Sequence, residues 1–227
     1  MKINDRISKQ RLNIILLVDA STSMQGTRID QVNRAIIDVR DYLRELQAEN
    51  INVDFYITII TFSTNAFFKN NEKMSAVNDF EFESIKAGGW SNLHLAYQSL
   101  DSILQKESQG GIMPDFGGVA PIILLFTDGH PTAKCKGALV GLNNRPWFKA
   151  DLRYGIAVEL NDQKTCHVLQ DFVGNNGDVI DCYDARLLEK IIKIIALTAS
   201  KVKSQSSSFV SAHNTTKQAF IQTVQIQ

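Results

Sequence analysis

Hydrophobic positions along the chain fall into two alternating patterns. Leu12–Val18 is an apolar run that stops at Asp19, which predicts a parallel strand buried on both faces. Ile29, Val32, Ile36, Val39, Leu43 and Leu46 then recur at spacings of three and four, one face of an amphipathic helix over about residues 28–48. Val53–Phe62 is a second strand rich in Ile, Phe and Thr. The less regular stretch 66–85, with Phe67, Phe68, Phe80 and Phe82, is expected to contain an edge strand. Gly88-Gly89 breaks the chain before a helix over about 91–106, with Leu93, Ala96, Tyr97, Leu100 and Leu104 inward. Glycine pairs at 110–111 and 117–118 mark a loop.

Pro121 leads the most hydrophobic run, Ile122–Phe126, a central strand ending at Thr127-Asp128-Gly129. Beyond it the pattern predicts a short helix near 142–150, a strand over Leu152–Leu160 and a helix over 163–173. A short strand over 179–182 follows, then a last helix over 184–203 carrying Leu187, Leu188, Ile191, Ile195 and Leu197. Strands separated by helices imply a doubly wound, Rossmann-like α/β fold: a mostly parallel six-strand sheet flanked by helices, with one antiparallel edge strand from 64–85. We expect one domain over 1–203. Residues 204–227 form a polar tail that Phe209, Phe220 and Ile221 could dock.

Composition narrows the function classes. The 227 residues are 44% hydrophobic and 21% charged, and 24 basic residues balance 24 acidic ones. Zero formal charge offers no global field for nucleic acid or an anionic membrane, so neither is expected as a partner. Lys2, Arg6, Lys9 and Arg11 precede an apolar run too short for a signal core or a membrane span. We therefore expect a cytoplasmic protein. Cys135, Cys166 and Cys182 form no CxxC pair and read as reduced thiols.

Three loops at strand carboxyl ends or a helix start are dense in oxygen ligands: Asp19-Ala-Ser21-Thr-Ser23, Gly88-Gly-Trp-Ser91-Asn92 and Thr127-Asp128-Gly129. A doubly wound sheet brings such loops to one edge. Carboxylates and hydroxyls without His or Cys suit a hard cation, Mg²⁺ or Mn²⁺.

Together, Asp-x-Ser-x-Ser after an apolar strand, a Gly-Gly turn before a helix and a strand ending Thr-Asp-Gly resemble the metal-ion-dependent adhesion site of von Willebrand factor A (VWA) domains. The likeness runs over about residues 10–200. It implies that Ser21 and Ser23 ligate the metal directly, that Asp19 and Asp128 act largely through metal-bound waters, and that Ser91 stands where the family has a ligand Thr. Asn92 is the alternative ligand on that arm. A partner's Asp or Glu would fill the last coordination position, with Met24, Trp90 and Asn92 around it and His130 nearest the metal loop. Ile15–Met24 and Phe55–Ala66 are also similar to the bacterial tellurite-resistance TerY-type proteins. That likeness implies a stress-response scaffold or regulator whose partner is a protein kinase or a type 2C phosphatase.

Blander readings stand beside these. Asp19 or Ser21 alone fits a strand end with a helix cap, Ser91 an N-cap, and Asp128-Gly129 a plain turn. His94 reads as a packing or surface residue, and Cys166-His167 has no second pair with which to bind a soft metal. The competing function is a haloacid-dehalogenase-like, metal-dependent phosphohydrolase. That chemistry asks for a second Asp two residues after the first, and Ser21 occupies the place. No phosphate-binding GxxxxGK[ST] or GxGxxG occurs. We expect a binding module without catalysis.

Overall fold

The computed structural model describes residues 9–49, 53–69, 72–129, 131, 135–158, 163–174 and 177–181. In chain order the elements are β1 (Gln10–Asp19), α1 (Thr27–Glu49), β2 (Val53–Phe62), β3 (Ala66–Phe68), β4 (Ser75–Ala76) and α2 (Leu93–Ile103). After these come β5 (Ile122–Thr127), α3 (Cys135–Leu142), α4 (Pro146–Ala150), β6 (Leu152–Ala157), α5 (Gln163–Val173) and β7 (Gly177–Asp181). They form one seven-stranded sheet in the order β3-β2-β1-β5-β6-β7, with β4 also paired to β2. The β1–β2, β1–β5, β5–β6 and β6–β7 pairs are parallel. Among the described strands, only β3 and β4 run antiparallel.

Alternation along β1 shows why a strand forms there. Leu12, Ile14, Leu16 and Val18 enter one apolar cluster with Ile29, Val32, Ile36 and Val39 of α1. Ile15 and Leu17 enter the other, with Leu93, Tyr97 and Leu100 of α2 and Phe172 of α5. Two buried faces leave no room for a polar side, hence the near-continuous run. β5 repeats the arrangement: Ile122, Leu124 and Phe126 face the α1 layer, Ile123 and Leu125 the α2 layer.

This layering fixes where a site can lie. From β1 the chain crosses to β2 on one side, and β5, β6 and β7 extend the sheet on the other. The winding therefore reverses between β1 and β5. Loops leaving the carboxyl ends of those two strands part there and open a crevice. Asp19 ends β1 and Asp128 follows β5 directly.

Two expectations need correction. The region 64–85 holds two short antiparallel strands instead of one, which raises the sheet from six strands to seven. β3 pairs with Ile60–Phe62 and β4 with Tyr56 and Ile57, while between them the Thr58 hydroxyl donates to the Lys73 carbonyl at 2.6 Å. The short helix expected near 142–150 is α4, which starts only at Pro146, and α3 over Cys135–Leu142 precedes it as a helix that the pattern did not predict. Pro146 at the start of α4 disfavours helical backbone in the residue before it, and Arg145 is extended (φ −76°, ψ 130°). The expected helix 184–203 and the tail 204–227 lie outside the described residues.

At the amino end of β6, far from the crevice, Asp151 and Arg153 form a buried ion pair with Nε and Oδ1 2.8 Å apart. The Arg153 guanidinium also lies 4.0 Å from the Phe148 ring centroid and donates to the Phe172 carbonyl. Burial pushes the Asp151 carboxyl well above its ordinary value against the pull of Arg153, and pushes Arg153 down. Asp151→Ala strands a buried guanidinium, so we expect a loss on the order of 3–5 kcal/mol in urea unfolding. Asp151→Ala/Arg153→Met should regain part of it; equal losses in both variants would show that the pair is not the source.

Candidate metal centre

Asp19 is the hub of the crevice. Its side chain has no solvent exposure and gathers three loops. Oδ1 accepts the Ser21 amide N–H at 2.9 Å. Oδ2 accepts the Ser91 hydroxyl at 3.0 Å and the Thr127 hydroxyl at 2.8 Å. Burial raises the Asp19 carboxyl above its ordinary value, opposed by the hydrogen bonds from Ser21, Thr127 and Ser91. The Thr127 hydroxyl also accepts the Gly129 amide at 3.0 Å, which folds the turn carrying Asp128.

The Ser21 and Ser23 hydroxyl oxygens stand 3.1 Å apart. Ser21 is buried and Ser23 exposed, so the pair marks the passage from the hub to solvent. Asp128, 2% exposed, is tied to this pair through Arg28. The same Nη1 of Arg28 donates to the Ser23 carbonyl at 2.8 Å and to Asp128 Oδ2 at 3.1 Å.

A second layer holds the Gly88-Gly89 loop. The Thr22 amide and hydroxyl both reach the Gly89 carbonyl, and the Gly89 amide returns to the Thr22 hydroxyl at 2.9 Å. Gly88 N–H donates to the Ala20 carbonyl at 2.7 Å. The turn after β2 supports the other side: Trp90 N–H donates to the Thr64 hydroxyl and Asn92 Nδ2 to the Thr64 carbonyl. Gly89 has φ +92°, and a Cβ there would sit 2.6 Å from the Thr64 hydroxyl oxygen. Only glycine fits.

Asp19, Ser21, Ser23, Ser91 and Asp128 thus belong to one linked cluster. Ser91 does not cap α2: Asn92 is the N-cap, and the Ser91 hydroxyl goes to Asp19. Trp90 is 72% exposed beside the cluster. Asn92 spends its amide on Thr64 and sits half-buried. Met24 is corrected. It has no exposure and packs into the α1-side core, because the short helical turn Thr22–Met24 swings its apolar side chain inward while Ser23 faces out. It cannot surround an incoming carboxylate. His130 lies outside the described residues. Cys135 is a free, half-buried thiol, and His167 is exposed on α5.

Two contributors escaped the sequence reading. Thr127 was visible in its motif but not as a ligand of Asp19, a contact that needs the β1–β5 register. Arg28 was hidden in the first turn of an amphipathic helix, where a base looks like ordinary surface.

Residues 13–145, more than half of the chain, match the model of the von Willebrand factor type A domain. The chain belongs to that family. VWA domains are a family of protein-interaction modules. The chain is 29% identical over 140 residues to human inter-alpha-trypsin inhibitor heavy chain H6, spanning 58% of this chain and 10% of that protein. To human heavy chain H4 it is 32% identical over 130 residues, 53% of this chain and 12% of that protein. It therefore spans about a tenth of the length of these relatives. Among solved structures, a mutant of the PilB minor pilin from Streptococcus sanguinis superposes with TM-score 0.62 at 11% identity, over 90% of this chain and 65% of that one. The ArnB paralog VWA2 from Sulfolobus acidocaldarius gives 0.52 at 19% identity, over 81% and 44%. These likenesses speak for the fold alone, the VWA fold.

The glycine geometry gives a test of the loop scaffold. Gly89→Ala should cost about 1–3 kcal/mol in thermal or chemical unfolding. Gly88→Ala, whose added Cβ meets nothing within 4 Å, should be close to neutral. Equal effects at the two positions would contradict the close approach of Thr64.

Proposed function

We propose that the crevice between β1 and β5 holds a divalent cation, Mg²⁺ or Mn²⁺, and that the domain uses it to bind an acidic group of a partner protein. One observation carries the reading: two hydroxyl oxygens stand 3.1 Å apart beside a fully buried carboxylate. Two oxygens on neighbouring corners of an octahedron with 2.0–2.1 Å bonds are about 3 Å apart. The donor set is all oxygen, and Asp19 lies where burial penalises its charge unless a cation compensates.

In this reading Ser21 and Ser23 present their hydroxyls to the cation. Asp19 and Asp128 supply compensating charge from behind, Asp19 being held in place by Ser91 and Thr127. The cation would supply positive charge and an exchangeable position open to an anionic oxygen. Ser23 and Trp90 face solvent on the same rim, so a partner carboxylate meets a polar centre with an aromatic at its side.

The resemblance to TerY-type proteins extends the proposal to a bacterial stress-response system, with a protein kinase or type 2C phosphatase as the partner and the domain as tether or regulator. Catalysis is not part of it. A phosphohydrolase of the haloacid-dehalogenase kind needs a second carboxylate where Ser21 stands, and the Ser21 hydroxyl faces Ser23 rather than a base. Among the described residues no helix is long and apolar enough to cross a membrane.

Ser21→Ala/Ser23→Ala should reduce Mg²⁺ and Mn²⁺ binding in calorimetry by at least tenfold, with the circular dichroism spectrum unchanged; unaltered binding would move the cation elsewhere. Chelation should release a carboxylate-bearing partner, and Trp90→Ala should weaken its binding. Repeated turnover of a small phosphoester, lost in Asp19→Asn, would overturn the non-catalytic reading.

A further inference from the structure

The strangest charge near the crevice is Arg28. It lies in the first turn of α1, which begins at Thr27, where the helix dipole favours acids and opposes bases. It is only partly solvated, with a quarter of its side chain exposed. A base placed there against the helix field needs a compensating interaction, and the structure supplies one: Nη1 bridges the Ser23 carbonyl and Asp128 Oδ2. Those acceptors lie on two different loops of the proposed cation site. Arg28 thus sits on the same carboxylate that the cation would use for charge compensation.

We propose that Arg28 is a built-in competitor of the divalent cation, neutralising Asp128 in the metal-free protein so that the site accepts metal weakly until an acidic ligand arrives with it. This rests on the cation reading above. The charges make the case. Asp19 and Asp128 together would match a divalent cation, but Arg28 removes one of those two negative charges. The loaded crevice then carries a surplus positive charge, which an incoming carboxylate cancels. Asp128 is buried, so its attraction to either cation is poorly screened. Uptake of metal without a ligand must therefore overcome Arg28, by repulsion or by swinging it away. Metal and acidic partner become coupled, each raising the affinity for the other.

A merely structural arginine and a competing one give opposite signs. The test uses the full chain, wild type and the variants Arg28→Gln, Arg28→Lys and Arg28→Ala, with Mn²⁺ and Mg²⁺ alone as probes in calorimetry and thermal unfolding in chelator as the second readout. Competition predicts that Arg28→Gln and Arg28→Ala bind metal more tightly, by about tenfold at low salt, while their metal-free midpoints fall because Asp128 loses its cation. Arg28→Lys, which keeps the charge, should stay near wild type in affinity. The tightening should shrink as salt is raised. Metal binding that is unchanged or weaker in Arg28→Gln overturns the competition while leaving the cation site standing. A Lys variant as tight as the Gln variant overturns it too, since charge would then not be the cause. No metal binding in any of the four proteins removes the cation site and the competition together.

Discussion

A carboxylate taken fully out of water at the end of the first strand organises this molecule's functional end. Burying Asp19 is unfavourable unless every lone pair finds a donor, and the donors come from three separate places: the Ser21 amide, the Ser91 hydroxyl and the Thr127 hydroxyl. Each can reach Asp19 only if its own loop adopts one path. The parallel pairing of β1 with β5 brings Thr127 alongside, and the stitching of Thr22 to Gly89 brings Ser91. The loops are thus set by a shared acceptor more than by contacts among themselves. The hydroxyls that remain, on the buried Ser21 and the exposed Ser23, form a pair leading from the hub to solvent.

The rest of the fold serves to place that acceptor. Two apolar layers clamp β1 and β5 so tightly that no side chain of β5 is exposed, leaving little freedom for the strand ends. The reversal of winding between them then separates the connections and leaves space above. The hydroxyl and carboxylate cluster sits at the carboxyl edge, while the amino edge near β6 carries a separate buried ion pair beneath the Phe148 ring.

Much of this was legible from the residues, and the failures have physical reasons. The parallel strands and the helices α1, α2 and α5 follow from apolar spacing, because burial on both faces writes an unmistakable pattern into β1 and β5, whereas the eight-residue α3, with only Leu139 and Leu142 buried, was too short to show one. The edge was harder: β3 and β4 are short and half-buried, and a two-residue strand has no periodicity to read. Pro146 signalled a break that the apolar pattern alone did not respect. In the crevice, the residue types announced Asp19, Ser21, Ser23, Ser91 and Asp128, since hydroxyls and acids at strand ends have few other uses in such number. Met24 misled because an apolar residue in a polar loop looks like a contact residue, whereas one turn of tight helix sends it into the core. Arg28 was invisible for the opposite reason: its meaning lies in acceptors of which one is a hundred residues away.

The outer edge of β2 has a consequence for how this domain meets other proteins. A bare edge strand invites another chain to extend the sheet. Here β3 and β4 cover that edge in two pieces, and the Thr58 hydroxyl occupies the Lys73 carbonyl in the stretch between them. The β2 backbone at Tyr56, Ile57 and Ile60–Phe62 is paired within the domain. A strand added along that side would meet only the short β3 and β4, three and two residues long, which offer a foreign chain a far smaller row of peptide groups than the ten residues of β2 would.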